Sequence, residues 1–263
     1  MDRNLFYASL RSKDNVMFGS SLSKNQVAGI EGILDAFQTH GDGRIQTLAY
    51  GLATAYHETG ASMVPIKETV MQYHKNKYPT DAQVIGRLDR WAKKTGRISN
   101  IYWRPHPKTG KAYFGRGHVQ LTWIDNYSGS SADAGFDLVD NPDKMLVPEI
   151  SARVLFKGLL DGRWNGHGKG IAYYLPSNGE TDLRNARRTV NVLDKWQVIA
   201  LHYAGFTTAI KAAGGVSKQA PTTPRRKPAA PLTAPVRPPQ PTSSKGLGTL
   251  FDAIMKLLKG FSK

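Results

Sequence analysis

The sequence predicts a mainly helical domain with a small β element near its middle, and three observations lead to that class. Apolar residues recur at i, i+3, i+4 and i+7 in two neighbouring segments before residue 60. Two later segments, opening at Pro148 and at Lys195, begin with helix-start chemistry. Between residues 100 and 130 that periodicity gives way to Tyr, Trp and Gly, which suits loops and short strands.

The elements follow in order. Ser23 and Gln26 form a capping box ahead of VAGIEGILDAF, whose Val27, Ile30, Ile33, Leu34 and Phe37 make one apolar stripe ending at Gly41. A second helix is expected in RIQTLAYGLATAYHE, with Ile45, Leu48, Ala49, Leu52, Ala53 and Tyr56 on one face and Glu58 at its C-terminal end. Pro148 suits the first position of a helix reaching Leu160, and Asp194 is the expected cap of another from Lys195 to about Ala212. No internal repeat is visible.

Composition divides the chain into residues 1–216, a globular domain, residues 217–243, a Pro-rich linker, and residues 244–263, a cationic amphipathic helix. The linker holds eight of the fifteen prolines and too little apolar surface to offset the entropy of ordering, so it is expected to be extended and disordered. In the last segment Leu250, Phe251, Ile254, Leu257, Leu258 and Phe261 oppose Lys256 and Lys259. Half of the net charge of +16 falls after residue 216, which favours polyanionic partners without choosing among them. With no cysteine, disulfides and Cys-ligated zinc are excluded. No stretch approaches the ~20 apolar residues of a membrane span, and the charged N-terminus lacks the apolar core of a secretory signal.

Two stretches carry candidate chemistry. In ATAYHETGASMVPIKE, Glu58 and Glu68 stand ten residues apart across a turn containing Pro65. Cleavage of a glycosidic bond needs one protonated carboxyl and one ionised one, and this pair can supply both. The expected surround of Tyr56, Met63 and Ile66, with the helix C-terminus, raises Glu58 toward the acid role, while Glu68 beside Lys67 stays ionised. Such spacing is also common on ordinary helix-turn surfaces. His57-Glu58 begins an HExxH pattern, but Ala61 stands where its second His belongs, and no metal site is expected. In YFGRGHVQLTWIDNY, residues 113–127, Gly115 and Gly117 allow a tight path around Arg116, and Gln120, Thr122 and Asn126 can share one groove. Aromatic faces and amides suit a sugar polymer. The same residues would also serve in an ordinary hairpin with buried Tyr and Trp.

Taken together, ATAYHETG, MVPIKE, YFGRGHVQLTWIDNY, DNPD and NARRTVN resemble, in that order, the family 19 glycoside hydrolases, a chitinase-like group that includes phage endolysins. The resemblance runs from about Gly19 to Ala212. It implies a lysozyme-like α+β fold of two lobes flanking a cleft, and inverting hydrolysis without a cofactor. By position it makes Glu58 the general acid, Glu68 the base on a water, and Thr122 the hydroxyl that helps hold that water. Substrate contacts fall to His57, Tyr113, Arg116, Gln120, Asn126 and Asn191. Val192 and Leu193 depart from the glycine that usually follows that Asn, and Asp125 stands where plant members carry Tyr.

Chitin and peptidoglycan share a β-1,4-linked N-acetylhexosamine backbone. The short catalytic part, the lack of cysteine and MVPIKE close behind HETG resemble the phage-lysin branch of that family, and the positive charge suits anionic peptidoglycan. The resemblance implies an endolysin, expected to be a monomer made in a host cytoplasm that acts on the bacterial wall after release or from the virion. The terminal helix is expected either to dock on the main domain or to lie in anionic membrane or lipopolysaccharide. PRRK mimics a nucleic-acid patch, but no aromatic platform accompanies it, so no specific nucleic acid is expected.

Overall fold

The computed structural model describes residues 1–15, 17–68, 79–97, 101–165 and 168–216. The linker and amphipathic helix expected in residues 217–263 lie outside the described residues. Among the described residues helices dominate, with one two-stranded antiparallel sheet. The order is α1 (Arg3–Leu10), α2 (Lys24–His40), α3 (Ile45–Glu58), β1 (Ile66–Lys67), α4 (Asp81–Thr95), β2 (Arg116–Gly117), α5 (Ile124–Ala134), α6 (Pro148–Asp161), α7 (Ile171–Tyr174), α8 (Leu183–Ala186) and α9 (Trp196–Ala212). Single 3-10 turns occupy Pro142–Leu146, Arg163–Asn165 and Arg187–Thr189.

The capping box before α2 forms: Gln26 N–H donates to Ser23 Oγ, and Ser23 N–H donates to the Gln26 side chain at 2.8 Å. Pro148 opens α6 as expected. The start of α9 differs, because Lys195, in a left-handed conformation, takes the cap position and no side chain caps the helix. Asp194 instead offers its backbone carbonyl to Arg187 Nε at 2.9 Å. Five helices escape the sequence-based expectation, the one-turn α7 and α8 among them. α1 is capped by Asp2. α4 buries Val84, Arg87, Leu88 and Ala92 at helical spacing within a mostly polar segment. α5, IDNYSGSSADA, begins inside the region expected to be loop and strand and runs beyond it; its intrinsic propensity is poor, and packing against α6 holds it.

Two apolar clusters result among the described residues. The larger gathers Phe6, Ile30, Ile33, Leu52, Phe156 and Phe206 from α1, α2, α3, α6 and α9. The smaller joins Val84, Leu88 and Ala92 of α4 to Trp103, Ala112 and Phe114. β1 and β2 pair Ile66 with Gly117 and Lys67 with Arg116.

Candidate active site

The chain turns immediately after Glu58 because residues 59–65 are clamped onto α2. Thr59 caps α3; its hydroxyl donates to the Ala55 carbonyl at 2.6 Å and accepts from Met63 N–H at 3.0 Å. Ala61 and Met63 are forced to φ of 65° and 60°, a region that costs L-residues energy and persists only when the surroundings dictate it. They do so here through Gln26 Nε2, which donates to the Ala61 carbonyl at 2.9 Å, and His118 Nε2, which lies 3.1 Å from the Met63 carbonyl. Gly29 of α2 permits that approach, since a Cβ there would stand 2.1 Å from the Met63 oxygen. The turn therefore fixes where α3 ends and where β1 begins, and with them both glutamates.

Glu58 and Glu68 line one cleft of about 630 Å³. Their surroundings differ from those expected. Glu58 faces a cation and not an apolar wall: Arg187 Nη1, on a residue only 2 % exposed, approaches Glu58 Oε1 at 2.9 Å as an ion pair without the angle of a hydrogen bond. Glu68 is not the solvent-facing member. Loss of hydration pushes its carboxyl above the usual carboxylate range, and the nearby Glu58 charge adds to that. Opposing the rise, Tyr102 O–H donates to Glu68 Oε1 at 2.7 Å and Gly115 N–H to Oε2 at 2.8 Å. The backbone of the same pair closes a second bond, Glu68 N–H to the Gly115 carbonyl at 2.7 Å.

Behind Glu68 lies an ion network that spacing along the chain did not disclose. Lys67 Nζ contacts Asp81 at 2.8 Å and Asp143 at 2.9 Å, and Arg116 reaches the same two carboxylates at 3.1 and 2.7 Å. Arg116 is wholly buried; its Nη1 also donates to the carbonyls of Ala112 and Phe114 and to Tyr127 Oη. Burial disfavours ionisation of Asp143, yet Lys67 and Arg116 outweigh it and hold that carboxyl below its ordinary range. Arg116 is thus a strut joining β2 to α4 and the Pro142–Leu146 turn, which corrects its expected role in substrate contact. Tyr113 is corrected likewise: it is buried, and its hydroxyl donates to the Val139 carbonyl and shares a hydrogen bond with Thr109 Oγ1.

The other expected residues, His57, Gln120, Thr122, Asn126 and Asn191, do line the cleft. Gln120 Nε2 donates to the carbonyls of Ile66 and Gly117, so part of this side chain braces the loop. Asn126 Nδ2 donates to the Thr122 carbonyl at 2.9 Å. Burial lowers His57 below the usual imidazole range, and its neighbour His202, 6.1 Å away between ring centroids, falls to about 4. Burial thus favours the neutral form of both rings. Sequence reasoning missed Tyr102, Trp123, Trp164 and Arg188 on the cleft walls. Trp123 is 45 % exposed at φ 70°, with its ring 5.3 Å from that of Tyr102. An exposed Trp in a strained conformation beside a Tyr makes an aromatic wall; the Trp-Ile-Asp-Asn run after QLT was the available signal.

The arrangement is a two-carboxylate cleft, with one acid on an arginine, the other on a tyrosine and a backbone amide, and aromatic rings beside them. No protein-family model matches the chain. A stretch of 48 residues is 48 % identical to endochitinase 1 of Theobroma cacao, and 54 residues are 43 % identical to chitinase 4 of Oryza sativa subsp. japonica. These matches cover 18 % and 20 % of this chain, and only 15 % and 18 % of those relatives. Among solved structures, a chitinase C mutant is 20 % identical, with a TM-score of 0.43 over 82 % of this chain and 93 % of its own. Chitinase C from Streptomyces griseus HUT6037 is 17 % identical, with a TM-score of 0.44 over 82 % of this chain and 77 % of its own.

Proposed function

We propose that the protein is a glycoside hydrolase that cuts β-1,4 bonds in a polymer of N-acetylated aminosugars. The observation that carries this is the placement of Glu58 and Glu68 on one cleft, beside the rings of Tyr102 and Trp123. Glu58 delivers a proton to the leaving oxygen. Glu68 takes a proton from the attacking water, a role favoured by desolvation, which makes its carboxylate more basic, and by two donors that keep it ionised. Thr122 helps to hold that water, and Asn126 and Asn191 offer amides to the sugar. If water enters between the carboxyls, the reaction inverts the anomeric centre, which calls for a carboxyl separation of roughly 6.5–9.5 Å.

The polymer we favour is bacterial peptidoglycan, on the strength of the +16 charge, since the wall is anionic and chitin is not. The chitinase names of the two short matches favour chitin as the second candidate. Reducing ends released by the full chain from purified wall and from colloidal chitin separate the two. Release from chitin alone would overturn peptidoglycan as the substrate. Equal release by Glu58→Gln would overturn the proton donor. Mass spectrometry of the fragments shows which sugar carries the new end.

The expected endolysin role places the protein in a host cytoplasm first and at the wall afterwards. In that role residues 244–263 form an interfacial helix that binds anionic membrane behind the Pro-rich tether. Removing them should leave cleavage of isolated wall intact and abolish leakage from anionic vesicles. Loss of wall cleavage would assign these residues to wall binding or to the main domain instead.

A further inference from the structure

On α3 the side chains of Tyr50, Thr54 and Glu58 follow one another at four-residue steps, so they occupy one stripe that runs from the core to the cleft. The first two are an anomaly for a core: Tyr50 is 1 % exposed and Thr54 is fully buried, yet neither hydroxyl has a hydrogen-bond partner among the described residues. A buried hydroxyl left unpaired opposes folding, and Phe or Val would fill the same space without that cost. At the cleft end of the stripe Arg187 Nη1 is ion-paired with Glu58 Oε1 but misaligned for a hydrogen bond. Two hydroxyls without hydrogen-bond partners therefore share the helix face that ends at the proposed proton donor, whose own cation lacks a hydrogen bond at Nη1.

We propose that Tyr50 and Thr54 are positioning residues for Glu58, their hydroxyls aligning the Arg187–Glu58 pair through ordered water held beneath it. The electrostatics agree with that placement. Burial is the main cause that raises the Tyr50 hydroxyl above its ordinary range, and the Arg187 and Glu58 charges both reach it. Other charged or titratable groups near the pair are His57 on α3, Glu68 just after β1, Arg188 beside Arg187, Asp194 and Lys195 ahead of α9, and His202 on α9. None of these is Tyr50 or Thr54, so removing the two hydroxyls changes no formal charge at neutral pH.

The inference rests on Glu58 being the proton donor, and the test keeps the two apart. Tyr50→Phe and Thr54→Val are made in the full chain, with Glu58→Gln beside them, and assayed on whichever polymer the parent cuts. A purely structural role predicts unchanged or higher thermal midpoints and unchanged kinetics. Positioning predicts the same midpoints, a KM within about twofold, a kcat about tenfold lower and a basic limb of the pH–rate profile moved by half a unit or more. Crystal structures of the parent and the Tyr50→Phe variant should show a water bonded to the Tyr50 and Thr54 hydroxyls and a shifted Glu58 carboxyl once the Tyr50 hydroxyl is gone. Unchanged kcat and pH profile in both variants, with Glu58→Gln inactive, overturns positioning alone. Full activity of Glu58→Gln overturns the donor and this inference with it. Hydroxyls that bond to protein carbonyls, with Glu58 unmoved in the variant, overturn the inference independently of any activity.

Discussion

The two proposed carboxylates are held by opposite means. Glu58 ends a fourteen-residue helix whose Leu48, Leu52 and Ala55 are sunk in the larger core, so its backbone position follows from apolar packing. Glu68 follows a two-residue strand, too short to be stable alone, and depends on the ion network of Lys67, Arg116, Asp81 and Asp143 beside it. The difference teaches that the two supports should respond to different perturbations. Packing places the backbone of one glutamate, and an ion network places that of the other.

The largest expected effect is on rate. Glu68→Gln keeps the shape of the side chain and removes its basicity, so reducing-end release should fall by about 10²–10⁴-fold, the usual worth of a positioned acid or base. A change below about tenfold, by the same standard, would place the base elsewhere. Next comes stability. Replacing both acids, Asp81→Asn with Asp143→Asn, leaves buried Lys67 and Arg116 without countercharge and should cost about 3–5 kcal/mol by denaturant titration. Leu52→Ala should cost a similar ~2–5 kcal/mol through a cavity, but without the same dependence on pH.

That pH dependence has a definite sign. The folded-state carboxyl of Asp143 lies below its ordinary range, so its stabilisation is complete above the ordinary value, about 3.9, and is lost as pH falls through the lower folded value. Thermal midpoints of Asp143→Asn should therefore be flatter than the parent's in that acid window, and parallel curves would contradict the ion network as the support of the Glu68 wall. Glu68 behaves in the opposite sense, because its raised carboxyl moves the acidic limb of kcat/KM upward. Tyr102→Phe removes a donor to the ionised form and should move that limb further up by about half a unit, with little loss at pH 8. The smallest effect is remote from both carboxylates: Ser23→Ala, which breaks the capping box of α2, should cost about 1 kcal/mol and leave the pH profile alone.

The same contrast explains what the sequence could disclose. α2, α3 and α6 were visible because apolar burial follows a local period. α4 was overlooked although Val84, Leu88 and Ala92 keep that period, because polar residues crowd between them. α5 had no local signal, since Gly, Ser and Asp form its helix only against α6. At the site, Glu58 could be placed from the end of a helix pattern, whereas the surroundings of both glutamates could not. Arg187 stands 129 residues beyond Glu58, and Asp143 lies 76 beyond Lys67; only the folded chain brings either pair together. Arg116 and Tyr113 were misassigned for a related reason: polarity suggests exposure unless the partners that make burial tolerable are known.

The central claim is that Glu58 and Glu68 divide the acid and base work across one cleft, with water entering from the Glu68 side. Proton NMR of the first sugar ends released from a β-1,4-linked aminosugar polymer tests it most directly, because the anomer is read before mutarotation. The α-anomer is the predicted product. A β-anomer would mean retention, with the carboxyls only about 5–5.5 Å apart and one of them a nucleophile; it would contradict the role assigned to Glu68.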